Sequence, residues 1–234
     1  MFLRKFFSAS PVVARVAPFL IFVALTLAQG KCGPDSAYWF YLAKTLVGLW
    51  LIYEIWPLVT EMRWAFSWEA VVAGVGVFAL WVGINGEWTT QSALWLKLGL
   101  SHTPATPAAV WNPNTAFGEG SALAWLFILV RILGSSLVVP PLEEVFYRSF
   151  VYRYIAKVDF LSVPLNRFLP GPFIATACVF GFSHNEWLAG ILCAAVYQGL
   201  VIRKNRLGDA MTAHAITNGL LGVWVVWKGA WNFW

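Results

Sequence analysis

The sequence predicts an all-α protein: a polytopic membrane helix bundle of seven or eight transmembrane helices, forming a single domain over residues 1–234. Three observations predict it. The composition is 59% hydrophobic and 12% charged, with a mean hydropathy of +0.67, whereas a soluble domain carries roughly twice that charged fraction. Apolar runs recur near the roughly 20 residues that a helix needs to cross a bilayer. The 15 Trp and 18 Phe fit the aromatic enrichment of membrane interfaces. The net charge of +5 is assigned to basic residues held on the cytoplasmic side. No Lys/Arg stripe with interleaved aromatics accompanies it, so nucleic acid is not a predicted partner. The lipid bilayer is.

The first predicted span covers residues 12–28. Arg4 and Lys5 ahead of it give the look of a secretory signal. Arg15 interrupts its early part, however, no small-x-small cleavage site follows, and the apolar run continues to Leu27, so it is read as a retained span. The second span covers 37–59 and the third 68–84. Residues 85–120 are more polar and include Ser101-His102-Thr103-Pro104 and Trp111-Asn112-Pro113-Asn114. Loops of this length are usually functional or disordered; this one is read as a lid over the site or as a plain external connector, with His102 solvated.

Apolar character resumes over 121–139, is punctuated by Pro140-Pro141, and continues as a helix over 142–156. A connector carrying Lys157 and Arg167 leads to two shorter segments, 172–182 and 187–202. Arg203-Lys204-Asn205-Arg206 is the clearest cytoplasmic signal, and the last span covers 209–227. Placing both Arg4/Lys5 and Arg203/Lys204/Arg206 in the cytoplasm requires an even number of crossings between them. Counting every segment gives seven, so one segment is expected to be re-entrant. Cys32, Cys178 and Cys193 show neither metal-ligand spacing nor a disulfide framework.

Ionisable residues inside a bilayer are costly and are functional candidates by default. The densest set is Pro140-Pro141-Leu142-Glu143-Glu144-Val145-Phe146-Tyr147-Arg148. Positions four apart share a helix face, so Glu144 and Arg148 are expected to pair. Glu143 is rotated by about 100° and is left without that partner. A Pro-Pro pair suits a first helical turn, which predicts that both carboxylates sit at the positive end of a new helix. A carboxylate poised between that field and desolvation suits a general base. The plainer reading is a structural ion-pair cluster.

Two further segments weigh against the plainer reading. His184 ends the run Phe180-Gly181-Phe182-Ser183-His184, and His214 and Asn218 lie four apart on one face. Ser183, Ser135 and Ser136 sit in no nucleophile motif and are read as hydroxyls bonding the helix backbone. Arg131 is expected to pair with a buried acid, Glu54 being the candidate, or to line the cavity.

Glu-Glu-x-x-x-Arg, Phe-x-x-x-His and His-x-x-x-Asn within about 75 residues resemble the motifs of the CAAX-protease and bacteriocin-processing family of intramembrane proteases. More narrowly, Val139-Pro140-Pro141-Leu142-Glu143-Glu144, Glu186-Trp187-Leu188-Ala189-Gly190 and the Trp-rich C-terminus are similar to the relatives found beside exosortase-type sorting systems. The resemblance covers residues 142–218. It implies a multi-pass protein of the bacterial inner membrane and a membrane-associated protein or peptide as substrate. It also implies roles: Glu143 as the base that activates water, His184 holding that water, and His214 and Asn218 bonding the oxyanion. Glu144 and Arg148 would shape the site.

Donors fixed in a water-poor cavity stabilise developing charge strongly, and peptide cleavage at membrane depth requires a polar cavity. Glu143, His184 and His214 are also candidate ligands of a three-ligand catalytic zinc. The His-Glu-x-x-His helix that would place two ligands one turn apart is missing, so a metal-free glutamate mechanism is the expectation. The alternative function is non-enzymatic: a transporter, or a silent scaffold of a sorting system. No paired broken segments in two halves point to a transporter.

Overall fold

The computed structural model describes residues 2–33, 35–84, 86–101 and 110–234; His102 lies outside them. The described chain is helical, and its one β-type feature is an isolated antiparallel bridge between Thr90 and Glu186. The helices are α1 (Phe2–Phe7), α2 (Pro11–Ala28), α3 (Ser36–Ile55), α4 (Trp68–Gly83), α5 (Gln91–Lys97) and α6 (Pro113–Phe117). They continue with α7 (Ala122–Ala156), α8 (Pro170–Gly181), α9 (Trp187–Lys204) and α10 (Gly208–Lys228). Starts are set by side chains that accept the first free amides: Ser10 from Val13, Ser67 from Ala70, Thr90 from Ala93 and Ser121 from Ala124.

By length and composition α2, α7 and α9 are able to cross a membrane, and α4 and α8 are shorter apolar helices. The chain falls into two compact units: residues 1–63, 110–146 and 218–234 in the first, and 64–109 and 147–217 in the second.

In the first unit, Arg15 is buried and forks onto Glu61, with Nε–Oε1 at 2.8 Å and Nη2–Oε2 at 2.9 Å. A bidentate pair of this kind is how a cation survives inside an apolar helix. Small residues bring α3 and α7 close: a Cβ on Gly134 would lie 2.7 Å from Thr45 Oγ1, and one on Gly48 would collide with Val138. Arg131 is not paired with Glu54. Its guanidinium lies against aromatic rings, 4.4 Å from Trp111, 4.9 Å from Tyr41 and 5.3 Å from Trp234. Glu54 instead meets Arg4 at 3.4 Å. Ring faces attract a desolvated cation, so Arg131 needs no acid there.

In the second unit, α8 and α9 meet at two glycines, where a Cβ on Gly190 would lie 2.9 Å from Gly181 Cα. Gly74 of α4 does the same against α10, and Thr217 Oγ1 donates to Gly74 O at 2.8 Å. The basic run after α9 is tied down by acids. Lys204 reaches Glu69 at 2.6 Å, and Arg206 pairs with buried Asp209, which also accepts from Ser67 Oγ at 2.5 Å. Asn205 turns the chain there in the left-handed region, φ 51°, which Asn tolerates.

The structure corrects a second expectation. Pro140-Pro141 does not begin a helix; it lies inside the continuous α7, so the carboxylates do not sit at the start of their own helix. A proline removes an amide and crowds the carbonyl four residues back. Here the helix widens into a π turn over Gly134–Val138 just before the pair, and again over Val145–Val151 after it. Such wide turns are found often at functional sites.

Candidate functional site

In the first unit, the π turn sends Val139 N–H to Gly134 O, and the helix recovers its α pattern over Val139–Glu144. Leu142 anchors this turn in a buried cluster with Phe22 and Val138. Glu143 follows, partly buried, with one carboxylate oxygen, Oε2, sealed from solvent and meeting no hydrogen-bond donor among the described residues. Glu144 is fully buried.

Lys44 of α3 stands close enough to Glu143 for their charges to interact. Its ammonium is held by Thr26 Oγ1 at 3.2 Å and lies 4.3 Å from the Tyr41 ring. The last predicted residue of this unit, Asn218, donates from Nδ2 to Ser135 O at 2.8 Å.

In the second unit, Arg148, His184 and His214 gather on the ring of Phe180. Arg148 is fully buried, with Cζ 4.4 Å from that ring and 5.8 Å from the ring of Tyr197. His184 lies 4.5 Å from Phe180 and edge-on to Trp81 at 5.6 Å. His214, also buried, stacks on Tyr197 at 5.2 Å and approaches Phe180 at 6.4 Å. Arg148 on aromatic faces gains cation–π attraction in a dry setting.

The hydrogen bonds around His184 settle its tautomer. Ser183 Oγ donates to Phe180 O at 2.7 Å, and Tyr147 Oη donates to Ser183 Oγ at 3.2 Å. His184 Nδ1 lies 2.8 Å from the same Phe180 O and 3.2 Å from Ser183 Oγ. A carbonyl only accepts, so Nδ1 carries the proton. In the neutral ring Nε2 is then a bare acceptor, able to hold a water or a metal.

The backbone here is fixed from a distance by Gln91, whose Nε2 donates to Phe182 O at 2.5 Å and to His184 O at 2.8 Å. Gln91 N–H also donates to Asn185 O at 2.8 Å. The polar loop after α4 is thus, in part, a clamp on the His184 segment.

The structure therefore brings three of the six sequence-predicted residues onto one ring, and sets Glu143, Glu144 and Asn218 in the other unit. Among the described residues, no three of His, Cys, Asp or Glu are grouped to hold a metal ion. Sequence reasoning missed Gln91, Trp81, Tyr197 and Lys44. The first sits in a segment without periodicity, and Trp81 and Tyr197 look like ordinary span residues; Lys44, a cation within the second predicted span, was the signal that could have been read.

Residues 124–220 match the protein-family model described as type II CAAX prenyl endopeptidase Rce1-like. No curated protein and no solved structure matches the chain.

Proposed function

From the match of residues 124–220 to the type II CAAX prenyl endopeptidase Rce1-like family model, we propose that the chain hydrolyses a peptide bond of a membrane-associated protein or peptide, with Glu143 as general base. The observation that carries this reading is the sealed, unmatched oxygen of Glu143. A buried acceptor left unmet costs about 1–3 kcal/mol. In an apolar helix such a group calls for an explanation, and a base that meets the attacking water supplies one.

In the proposed reaction, the attacking water donates a hydrogen bond to Glu143, and holding that water is the role the family resemblance gives His184. The water's oxygen lone pair is then directed at the scissile carbonyl carbon. As the C–O bond forms, Glu143 takes the proton and the carbonyl oxygen becomes an oxyanion. As donors to that charge the resemblance names His214 and Asn218, the latter keeping one amide hydrogen not engaged at Ser135. Collapse of the intermediate breaks the C–N bond, and Glu143 returns its proton to the leaving amine. Fixed donors of this kind act before charge develops and need no reorganisation. Glu144 and Arg148 set the shape and field around the base. No step is routed through zinc. The substrate need not carry a prenyl group, and a precursor handled by an exosortase-type system is the narrower assignment.

The test is Glu143→Gln, which keeps shape and removes the base. Cleavage of a co-expressed substrate is expected to fall by at least about 10³-fold, general-base and water-activating roles together, with the protein still folded in detergent. Unchanged cleavage sinks the assignment. Chelator treatment is expected to leave activity intact; activity lost to chelator and restored by zinc would move the chemistry to a metal.

A further inference from the structure

Asn218 meets a carbonyl that the helix has left without a donor. In α7 the carbonyl of residue i is met by the amide of i+4, or of i+5 in a π turn. Val139 N–H is taken by Gly134 O, so Ser135 O loses its α partner. Its π partner would be residue 140, a proline with no N–H. The hydrogen bond that fills this gap comes from Asn218 Nδ2 on α10, 2.8 Å away and 83 positions along the chain. A neighbouring glycine on α10 leaves room for that approach: a Cβ on Gly222 would come 2.8 Å from Ile132 Cγ1.

The broken turn lies two turns ahead of Glu143. Each residue rotates a helix by about 100°, and a π turn holds one residue more than an α turn. How this turn closes therefore decides which way everything after it faces. We propose that Asn218 is a bracket for the proline-broken turn of α7, supplying the hydrogen bond that Pro140 cannot and so fixing the direction in which Glu143 points. This positioning role uses one amide hydrogen of Asn218 and is separate from its oxyanion role. It rests on the reading of Glu143 as base.

A double-variant cycle tests it. Asn218→Ala, Pro140→Ala, Pro141→Ala and the two doubles with Asn218→Ala are purified full-length in detergent. Melting temperature is measured, along with kcat on an internally quenched peptide anchored by an acyl chain. Asn218→Ala is expected to lower Tm by roughly 2–10 °C and kcat by at least about 10³-fold, about 10² from the lost oxyanion donor and about tenfold from the misdirected base. Adding Pro140→Ala restores an amide aimed at Ser135 O. It is expected to bring Tm to within about 2 °C of Pro140→Ala alone and to raise kcat at least about tenfold over Asn218→Ala. Pro141→Ala restores an amide one residue too late and is expected to rescue neither.

A Pro140→Ala/Asn218→Ala protein that melts and cleaves like Asn218→Ala overturns the bracket. Recovered Tm with no gain in kcat overturns its claim to aim Glu143. Should Pro140→Ala fail to fold, Asn218→Asp decides, being isosteric but without a donor: a Tm equal to the parent's overturns the bracket. If Glu143→Gln cleaves like the parent, the base assignment falls, and the Tm arm still decides the bracket.

Discussion

His184 and Glu143 are both polar groups set among apolar helices, yet they are held in opposite ways. The imidazole has Phe180 on one side and Trp81 on another, two hydrogen-bond partners at Nδ1, and its backbone carbonyl capped by Gln91. The carboxylate has a sealed oxygen with no donor among the described residues. A group that must present one atom in one protonation state gains from being pinned. A base must change its proton twice per turnover, and each extra donor to its charged form would weaken it. The contrast is thus between a fixed acceptor and a reserved one, and it is the strongest physical support for assigning them different roles.

The largest effect expected in the pinned half comes from His214→Phe. Phenylalanine keeps the stack on Tyr197 and the approach to Phe180 but removes every ring N–H. If the ring is there to donate to an oxyanion, kcat is expected to fall on the order of 10²–10³-fold, with a drop in Tm no larger than about 10 °C, the worth of an ordinary hydrogen bond. A loss of Tm with little change in kcat would break the comparison, making this imidazole a packing residue like its neighbours.

A smaller effect is expected at Gln91. Gln91→Leu removes two side-chain hydrogen bonds, to Phe182 O and His184 O, and leaves the backbone bond to Asn185 O in place. His184 Nε2 would then wander by a fraction of an ångström. Misplacement by about 1 Å costs about 10²-fold, so a loss of about tenfold in kcat is expected, with KM little changed. Full activity would mean that the Phe180–Trp81 slot alone positions the ring.

The legibility of these features in the sequence followed from their range. Helix limits were readable because they are local. Ser10, Ser67 and Ser121 cap where the apolar runs begin, and the motif residues announced themselves as ions and imidazoles in apolar surroundings. Pro140-Pro141 misled because a proline pair is an N-terminal signal in a short soluble helix. In a long helix packed against its neighbours along one side, a π turn and a side chain from elsewhere can meet the freed carbonyls. Arg131 misled similarly: charge asks for a counter-charge in a linear reading, and three rings answer in the folded one. Gln91 was invisible, since its partners lie 91 and 93 residues away and nothing in its neighbourhood marks it.

The smallest effect sharpens the account of the tautomer. Ser183→Ala removes a hydroxyl that accepts from Tyr147 and lies 3.2 Å from His184 Nδ1. The shorter contact, 2.8 Å to Phe180 O, survives, and it alone is enough to keep the proton on Nδ1. The serine's own bond to Phe180 O disappears as well, leaving that carbonyl more available to the imidazole. The two changes oppose each other, so kcat is expected to shift by less than about threefold, below the worth of one ordinary hydrogen bond. A loss above tenfold would show that Nδ1–H is held by the hydroxyl rather than by the carbonyl. The acceptor at Nε2 would then depend on the Tyr147–Ser183 chain, and Tyr147→Phe would be expected to copy the defect.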